Sequence, residues 1–417
     1  MTEKLKVLIS AYACEPDTGS EPAVGWNWVL QMQRYHDVWV LTRQNNREPI
    51  ERVGTQGAGI NWVYVDLPHW LRFWKRRGRG VQLYYYLWQI AAYLEGRRLH
   101  RKYRFDIIHH VTIGKYWIPS FLGLLPARFI FGPVGGGEST PKGFMATYSL
   151  RGRIYEYGRG IGRRCASLDP LLRLVIRRAS LLLGTTEETA RQLRRLGGAG
   201  VIVHAQFAMN QEEMRHFASF PLRQERPFRL ISIARLLHWK GTHLAIRAFA
   251  EFVKKCPESE FWIINTGPEI DRLKKLASEL GVADKVVFWG KLPTLKDVFE
   301  KLVASDALVH PALHEAFGAV CLEAMAAGRP VICLDIGGPA LQVTNETGFR
   351  ATSRSPALAI QELADAMKRL YDDPDLRLRM GQASRERVRR DFSWEEYGKQ
   401  MNERYLEIAS ASEGRQS

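Results

Sequence analysis

His314-Glu315-Ala316-Phe317-Gly318-Ala319-Val320-Cys321-Leu322-Glu323-Ala324-Met325-Ala326-Ala327-Gly328 carries two glutamates eight positions apart. Glu315 sits in a turn-like stretch whose flexible residue is Gly318. Glu323 lies about two helical turns further on, at the start of an Ala-rich helix that ends at Gly328. An acceptor-only carboxylate in such a turn can hold a polyhydroxylated ligand. The amides of Gly318 and Ala319, at a helix N-terminus, can face a phosphate. The same spacing also suits an ordinary amphipathic helix with two surface glutamates, so the pattern needs support from the rest of the chain.

That support lies upstream. Ile231-Ser232-Ile233-Ala234-Arg235 reads as a buried strand. It runs into Leu236-Leu237-His238-Trp239-Lys240-Gly241, with Thr242 opening a helix. Arg235 and Lys240 thus stand at the C-terminal end of a strand, where open α/β sheets bind ligands. Two cations there suit a diphosphate, because Arg forks onto two oxygens and Lys supplies a point charge. Each alone would read as a solvated surface charge. Together with the downstream glutamate pair they read as a binding site.

The rest of the chain alternates apolar strands with amphipathic helices. Val38-Trp39-Val40-Leu41, Ile60-Asn61-Trp62-Val63-Tyr64-Val65, Ile107-Ile108, Arg128-Phe129-Ile130-Phe131 and Leu181-Leu182-Leu183-Gly184-Thr185-Thr186 are strand candidates in the first half. The alternation resumes at Phe228. Continuous apolar strands between helices predict two parallel, doubly wound sheets. The expected division is a first domain at 1–205, a linker at 206–227 and a second domain at 228–392. A helix at 393–410 would return to the first domain, and a polar tail would follow at 411–417.

These pieces together resemble the retaining glycosyltransferases of family 4, which have the GT-B fold. Lys6-Val7-Leu8-Ile9-Ser10 followed by Pro16-Asp17-Thr18-Gly19-Ser20-Glu21-Pro22 resembles the family's glycine-rich loop, with Ser20 in place of the usual second Gly. Asp106-Ile107-Ile108-His109-His110 resembles its Asp-x-x-His segment. Arg235, Lys240 and Gly241 match its phosphate clamp. Asn265-Thr266-Gly267-Pro268 and Val286-Val287-Phe288-Trp289-Gly290 match two strand ends that line the base pocket, and Phe392-Ser393-Trp394-Glu395 is similar to the family's C-terminal run. Phe131-Gly132-Pro133-Val134-Gly135-Gly136-Gly137-Glu138 resembles a branch associated with surface polysaccharide assembly. Its three glycines suit either close approach to a ligand or a flexible hairpin.

The resemblance implies two Rossmann-like domains with a cleft between them. It implies transfer of a hexose from a nucleoside-diphosphate sugar, with retention and without metal or other cofactor. Arg235, Lys240, Glu315 and His110 would carry the catalysis, with His109 a weaker candidate for the place of His110. Glu323, Gly318, Ala319, Gly267, Gly290, Gly19 and Ser20 would hold the donor. His109, Gly135, Gly136, Gly137, Glu138 and Glu21 would lie on the acceptor side. His238, His243, His310 and His314 read as structural. Asp373-Pro374-Asp375 reads as a helix start rather than a metal site.

Length, charge and cysteine usage bound the rest. A chain of 417 residues suits two domains. No apolar run is long enough to span a membrane. Met1-Thr2-Glu3-Lys4-Leu5-Lys6 has no apolar h-region, so no signal peptide is expected. Five scattered cysteines without a Cys-x-x-Cys pair predict a reducing, cytoplasmic compartment. Residues 1–220 hold 31 Lys/Arg against 17 Asp/Glu, a surplus of 14, whereas residues 221–417 hold 29 against 27. The first half should therefore meet an anionic partner. His69-Trp70-Leu71-Arg72-Phe73-Trp74-Lys75-Arg76-Arg77-Gly78-Arg79 interleaves aromatics with cations, as a headgroup-level membrane contact does. Residues 151–178 are also rich in arginine. Tyr84-Tyr85-Tyr86-Leu87-Trp88 reads as core. An anionic membrane surface, at the inner face of the cytoplasmic membrane, is thus the expected partner beside the sugar nucleotide and a glycan or lipid-linked glycan. No nucleic-acid-binding motif accompanies the charge. The readings that remain beside the transferase are a phosphorylase or sugar-nucleotide epimerase of the same fold, a binding subunit that keeps the pocket, and a nucleic-acid binder.

Overall fold

The computed structural model describes residues 4–68, 81–223 and 225–411. They divide into two compact units. One comprises Met1–Gly137, Gly160–Ala208 and Trp394–Ser417, the other Glu138–Arg159 and Met209–Ser393.

The first unit is built on seven parallel strands: β1 (Lys6–Ala11), β2 (Asp37–Arg43), β3 (Asn61–Val65), β4 (Ile107–Thr112), β5 (Arg128–Val134), β6 (Leu181–Gly184) and β7 (Val201–Val203). Their order is β3-β2-β1-β4-β5-β6-β7. The central strands β1, β4 and β5 are buried along nearly their whole length, as in a parallel sheet covered on both faces. Register brings Ile9 opposite His109 and Ser10 opposite His110, so both histidines lie in the middle of β4, buried in the sheet. Tyr84, Tyr85 and Trp88, from the helix Val81–Tyr103, pack in the core of this unit against Tyr12. The helix Trp394–Ser410 also belongs here. Tyr405 hydrogen-bonds His109 at 2.6 Å, and Trp394 meets Trp28 edge to face.

The second unit carries six parallel strands: β8 (Phe228–Ile233), β9 (Ser259–Ile264), β10 (Val286–Gly290), β11 (Ala307–His310), β12 (Val331–Leu334) and β13 (Gly348–Ala351). Their order is β10-β9-β8-β11-β12-β13. β8 and β11 are neighbours, so the loop after β8 and the turn after β11 open at the same edge of the sheet.

Two segments differ from the expected division. Residues 138–159, read as part of the first domain, group with the second unit. Phe144 and Tyr148 are buried in its core. Thr147 Oγ1 lies 2.8 Å from His243 Nε2, and Ser149 Oγ donates to Glu269 at 2.9 Å. Residues 206–227, read as a linker, contain the helix Gln211–Ala218. It is short, and it is started by a reciprocal capping box between Asn210 and Glu213. Asp373 caps the helix Pro374–Asp391 by accepting the Leu376 amide at 2.8 Å. The aromatic and basic run at 69–79 lies outside the described residues. Among the described residues no helix is long and apolar enough to cross a membrane.

Ser20, the residue before the helix Glu21–Gln33, has φ 63° and ψ −143°. That region favours glycine and costs a side-chain-bearing residue about 1–3 kcal/mol. Ser20→Gly is therefore expected to raise the melting temperature by a few degrees. An unchanged or lower value in a thermal melt would show that the surrounding contacts, not glycine's freedom, set this turn.

Candidate functional site

The site builds up at the edge where β8 and β11 end. After β8 the chain turns through a short 3-10 segment, His238–Lys240, and enters the helix Thr242–Val253 through Gly241. Gly241 has φ 71°, and a β-carbon there would stand 1.8 Å from the Pro311 carbonyl oxygen. Only glycine lets the loop approach the end of β11 so closely. The approach brings Lys240 Nζ onto Glu315 Oε2. His310 Nε2 lies 3.5 Å from the same oxygen. Arg235 is exposed and has no ion-pair partner among the described residues. The two expected cations thus differ. One is engaged with the first glutamate, and the other projects free.

The two glutamates have opposite electrostatics. Burial alone would raise Glu315, but the Lys240 charge and His310 outweigh it and hold the carboxyl at about 2. Glu323 lies in the helix Ala319–Ala326, which Gly318 caps at φ 80°. No cation or donor reaches its carboxyl among the described residues. Burial, with a smaller push from Glu213, raises it to about 7. A permanently ionised acceptor and a carboxyl poised near neutrality stand on one turn and helix.

Four further groups of contacts hold these loops, and none was read from the sequence. Gly338 donates to the Glu315 carbonyl at 2.8 Å, and Gly337 has φ 64° with its α-carbon against the same carbonyl. Gln342 Nε2 donates to the Phe317 carbonyl at 2.7 Å. A glycine pair directly after β12 was the available signal. The largest omission is Glu156, on the helix Leu150–Ala166. Its Oε1 lies 3.2 Å from His238 Nε2 and 2.9 Å from His314 Nε2, and Arg159 reaches Oε2 at 3.4 Å. Burial opposes ionisation of Glu156, yet the two imidazoles and Arg159 hold it below the ordinary carboxylate range. Trp239 is sandwiched between Tyr155 at 5.3 Å and His314 at 5.1 Å, both nearly parallel to it.

Gly267 packs with its α-carbon against the Leu236 backbone, so the end of β9 supports the loop of Arg235. Gly290 has φ 68° and open space around it, and its carbonyl accepts the Asn265 amide at 2.6 Å.

In the first unit, His109 is fully buried and spends both ring nitrogens, on Tyr405 Oη and on the Gly132 carbonyl, each at 2.6 Å. His110 is equally buried. Its Nε2 lies 3.2 Å from Tyr85 Oη. Burial pushes His110 down to about 4, so it is neutral at physiological pH. Gly19 stands in open space. Glu21 accepts the Gly114 amide at 2.9 Å and ties the first turn to the segment after β4. Packing explains two of the three glycines. Gly135 donates to the Gly114 carbonyl at 2.8 Å. A β-carbon on Gly136 would strike Trp117, and one on Gly137 would strike the Thr189 backbone. Glu138 belongs to the second unit, where Arg159 donates to its carbonyl at 2.8 Å.

Two domain descriptions match this chain. Residues 18–205 match the glycosyl transferase 4-like domain, and residues 215–387 match glycosyl transferases group 1. The D-inositol 3-phosphate glycosyltransferase of Corynebacterium efficiens is 32% identical over 186 residues, 43% of this chain and 42% of that protein. The lipopolysaccharide core biosynthesis glycosyltransferase LpsD of Rhizobium meliloti is 33% identical over 181 residues, 43% of this chain and 49% of that protein. The chain therefore spans less than half the length of these two relatives. Among solved structures, sucrose-phosphate synthase of Thermosynechococcus elongatus superposes with a TM-score of 0.67 at 18% identity, over 98% of this chain and all of the other. The HepE protein of Anabaena, in complex with UDP and glucose, superposes with a TM-score of 0.62 at 15% identity, over 97% of this chain and all of HepE.

Glu323 titrates near 7 in the folded chain, whereas an unfolded glutamate titrates at about 4.3. Between those values the folded state keeps a proton that the unfolded state releases, so this residue lowers stability as pH rises. Glu323→Gln should melt a few degrees above the wild type at pH 8, with the gap closing toward pH 5. Equal melting temperatures at pH 8 would rule out a raised carboxyl at this position.

Proposed function

Because this chain belongs to the GT-B glycosyltransferases, whose two domain types it carries in order, we propose that it transfers a hexose from a nucleoside-diphosphate sugar to a glycan or lipid-linked glycan acceptor in surface polysaccharide assembly. The observation that carries this reading is the cluster at the ends of β8 and β11. Lys240 meets Glu315 there, Arg235 projects free, and the helix capped by Gly318 begins beside them. A sugar diphosphate needs those three things together: cations, an acceptor for hydroxyls and unpaired helix amides.

The reaction keeps the anomeric configuration. The bond from the sugar's anomeric carbon to the diphosphate breaks with its electron pair going to the phosphate oxygen. The acceptor hydroxyl bonds to the same carbon from the same face, and its proton passes to the departing diphosphate. The protein's task is then to stabilise the anion that leaves. Arg235 and Lys240 draw on its oxygens, and the amides of Gly318 and Ala319 add the positive end of a helix. As Lys240 turns to the diphosphate, Glu315 is freed to accept hydrogen bonds from the sugar's hydroxyls. Glu323 accepts from the ribose hydroxyls, best when ionised. His110, kept neutral by its burial, is the residue proposed to act on the reacting sugar. Two cations and the helix N-terminus supply the positive charge that a divalent metal would otherwise bring.

The acceptor would be reached at the inner face of the cytoplasmic membrane, with the chain held there peripherally. The surplus of 14 positive charges in residues 1–220 and the run at 69–79 support that placement. A phosphorylase or epimerase of the same fold is separated from this reading by products. Free nucleoside diphosphate should appear only when an acceptor is present.

Arg235→Ala and Lys240→Ala should each lower turnover by about 100-fold or more while leaving the fold intact, since removing a pre-placed charge at a developing anion costs roughly 3 kcal/mol. Near-normal rates in both would displace the reaction from this site. Turnover should also survive EDTA. An absolute requirement for Mg²⁺ or Mn²⁺, restored by titration, would overturn the metal-free mechanism.

A further inference from the structure

The helix Leu150–Ala166 is packed the opposite way from an ordinary surface helix. Leu150, Ile154, Tyr157 and Ile161 follow i, i+4, i+7, i+11 spacing and share one face. They are 73%, 64%, 69% and 61% exposed. The opposite face is polar and turned inward. There Glu156 meets His238 and His314, Arg159 binds the Glu138 carbonyl, and Arg163 binds the carbonyls of Gly136 and Gly137. A soluble helix buries its apolar stripe and wets its polar one.

Two further observations concern what covers the stripe. Gly158, Gly160 and Gly162 have nothing within 4 Å of where a β-carbon would stand. Glycine in an exposed helix interior costs about 1 kcal/mol relative to Ala. Among the described residues no packing accounts for these three, which leave the outward surface narrow and smooth. The flanks are cationic. Arg151 borders the stripe on one side, Arg153 and Arg164 on the other, and all three are exposed. Glu156, the helix's single acid, is buried on the far face. The outward surface therefore carries apolar side chains and positive charge without any negative charge. A second copy of the same face would bring like charges together. An anionic bilayer supplies both an apolar layer and opposite charge.

We propose that the helix Leu150–Ala166 docks this protein on an anionic bilayer, with its apolar stripe at the boundary between headgroups and acyl chains and its arginines among the lipid phosphates. The inference rests on the peripheral-membrane part of the function proposed above, and it assigns the contact to a different element from residues 69–79.

The test is co-sedimentation with vesicles of phosphatidylcholine alone or mixed with phosphatidylglycerol, at low and high salt. Four proteins are compared: wild type, a variant with Ile154→Asp, Tyr157→Asp and Ile161→Asp, a variant with Arg151, Arg153 and Arg164 changed to Ser, and a variant with Arg72, Lys75, Arg76, Arg77 and Arg79 changed to Ser. Thermal melts accompany each to establish that it folds. Wild type should pellet with the anionic vesicles and be released by salt. The aspartate variant should lose at least ten-fold in partitioning, and the 151/153/164 variant should lose affinity for anionic vesicles. If a folded aspartate variant binds as wild type does, the helix is not the docking element, although the peripheral reading survives. If only the 72–79 variant loses binding, the contact lies there instead. If wild type ignores anionic vesicles at low salt, both readings fall. A dimer in light scattering that the aspartate substitutions dissolve would assign the stripe to a second copy and overturn the proposal.

Discussion

One carboxylate oxygen, Oε1 of Glu156, holds two loops that have no covalent reason to stay together. His238 belongs to the turn after β8, and His314 to the turn after β11. Each is a near neighbour in sequence of a residue that the proposed chemistry uses, Lys240 in one case and Glu315 in the other. A buried carboxylate shared by two imidazoles and an arginine is costly to leave partly unpaired. The low-energy arrangement is thus the one in which both turns are drawn to the same point. Trp239, stacked between Tyr155 and His314, adds an apolar brace across the same junction. The contact between Lys240 and Glu315 then follows as a consequence of how the loops are held.

The same unit treats its two signature glutamates differently. Glu315 has a lysine beside it and stays ionised at any physiological pH. Glu323 is half-buried without a cation beside it among the described residues and sits near its titration point. An arriving ribose would offer hydroxyl donors to the second, which favours the ionised form. Part of the binding energy would then go into releasing that proton. The destabilisation carried by the unliganded carboxyl fits a general pattern, in which sites sacrifice local stability for recognition.

The sequence was most readable where the determining contacts are local. A strand, a loop with two cations and a glycine before a helix form one continuous stretch, so Arg235, Lys240 and Gly241 could be placed on it directly. The turn from Glu315 to Glu323 was legible for the same reason. Two parallel sheets followed from uninterrupted apolar strands separated by helices. Contacts that depend on distant residues were not visible. Glu156 lies 82 positions from His238 and 158 from His314, and no spacing rule connects them. An acid among arginines and tyrosines reads as a solvated face until the fold turns it inward. The helix at Gln211–Ala218 was missed because two turns of helix are too short to establish a period, although its Asn210–Glu213 box was a usable start signal. The three glycines at 135–137 left two readings open, and the structure accounts for Gly136 and Gly137 by the close packing of Trp117 and Thr189.

The outward face of the helix Leu150–Ala166 also has a chemical consequence. Cys165 lies one turn beyond Ile161 and is exposed, while Cys14, Cys256, Cys321 and Cys333 are buried as free thiols. Burial raises the pKa of each of those four, which makes them slow to form thiolate. The unaltered chain therefore presents one accessible sulfhydryl, located on the surface whose surroundings are in question. An alkylating dye would mark that spot selectively, and its emission would report the polarity around the helix without removal of any other cysteine.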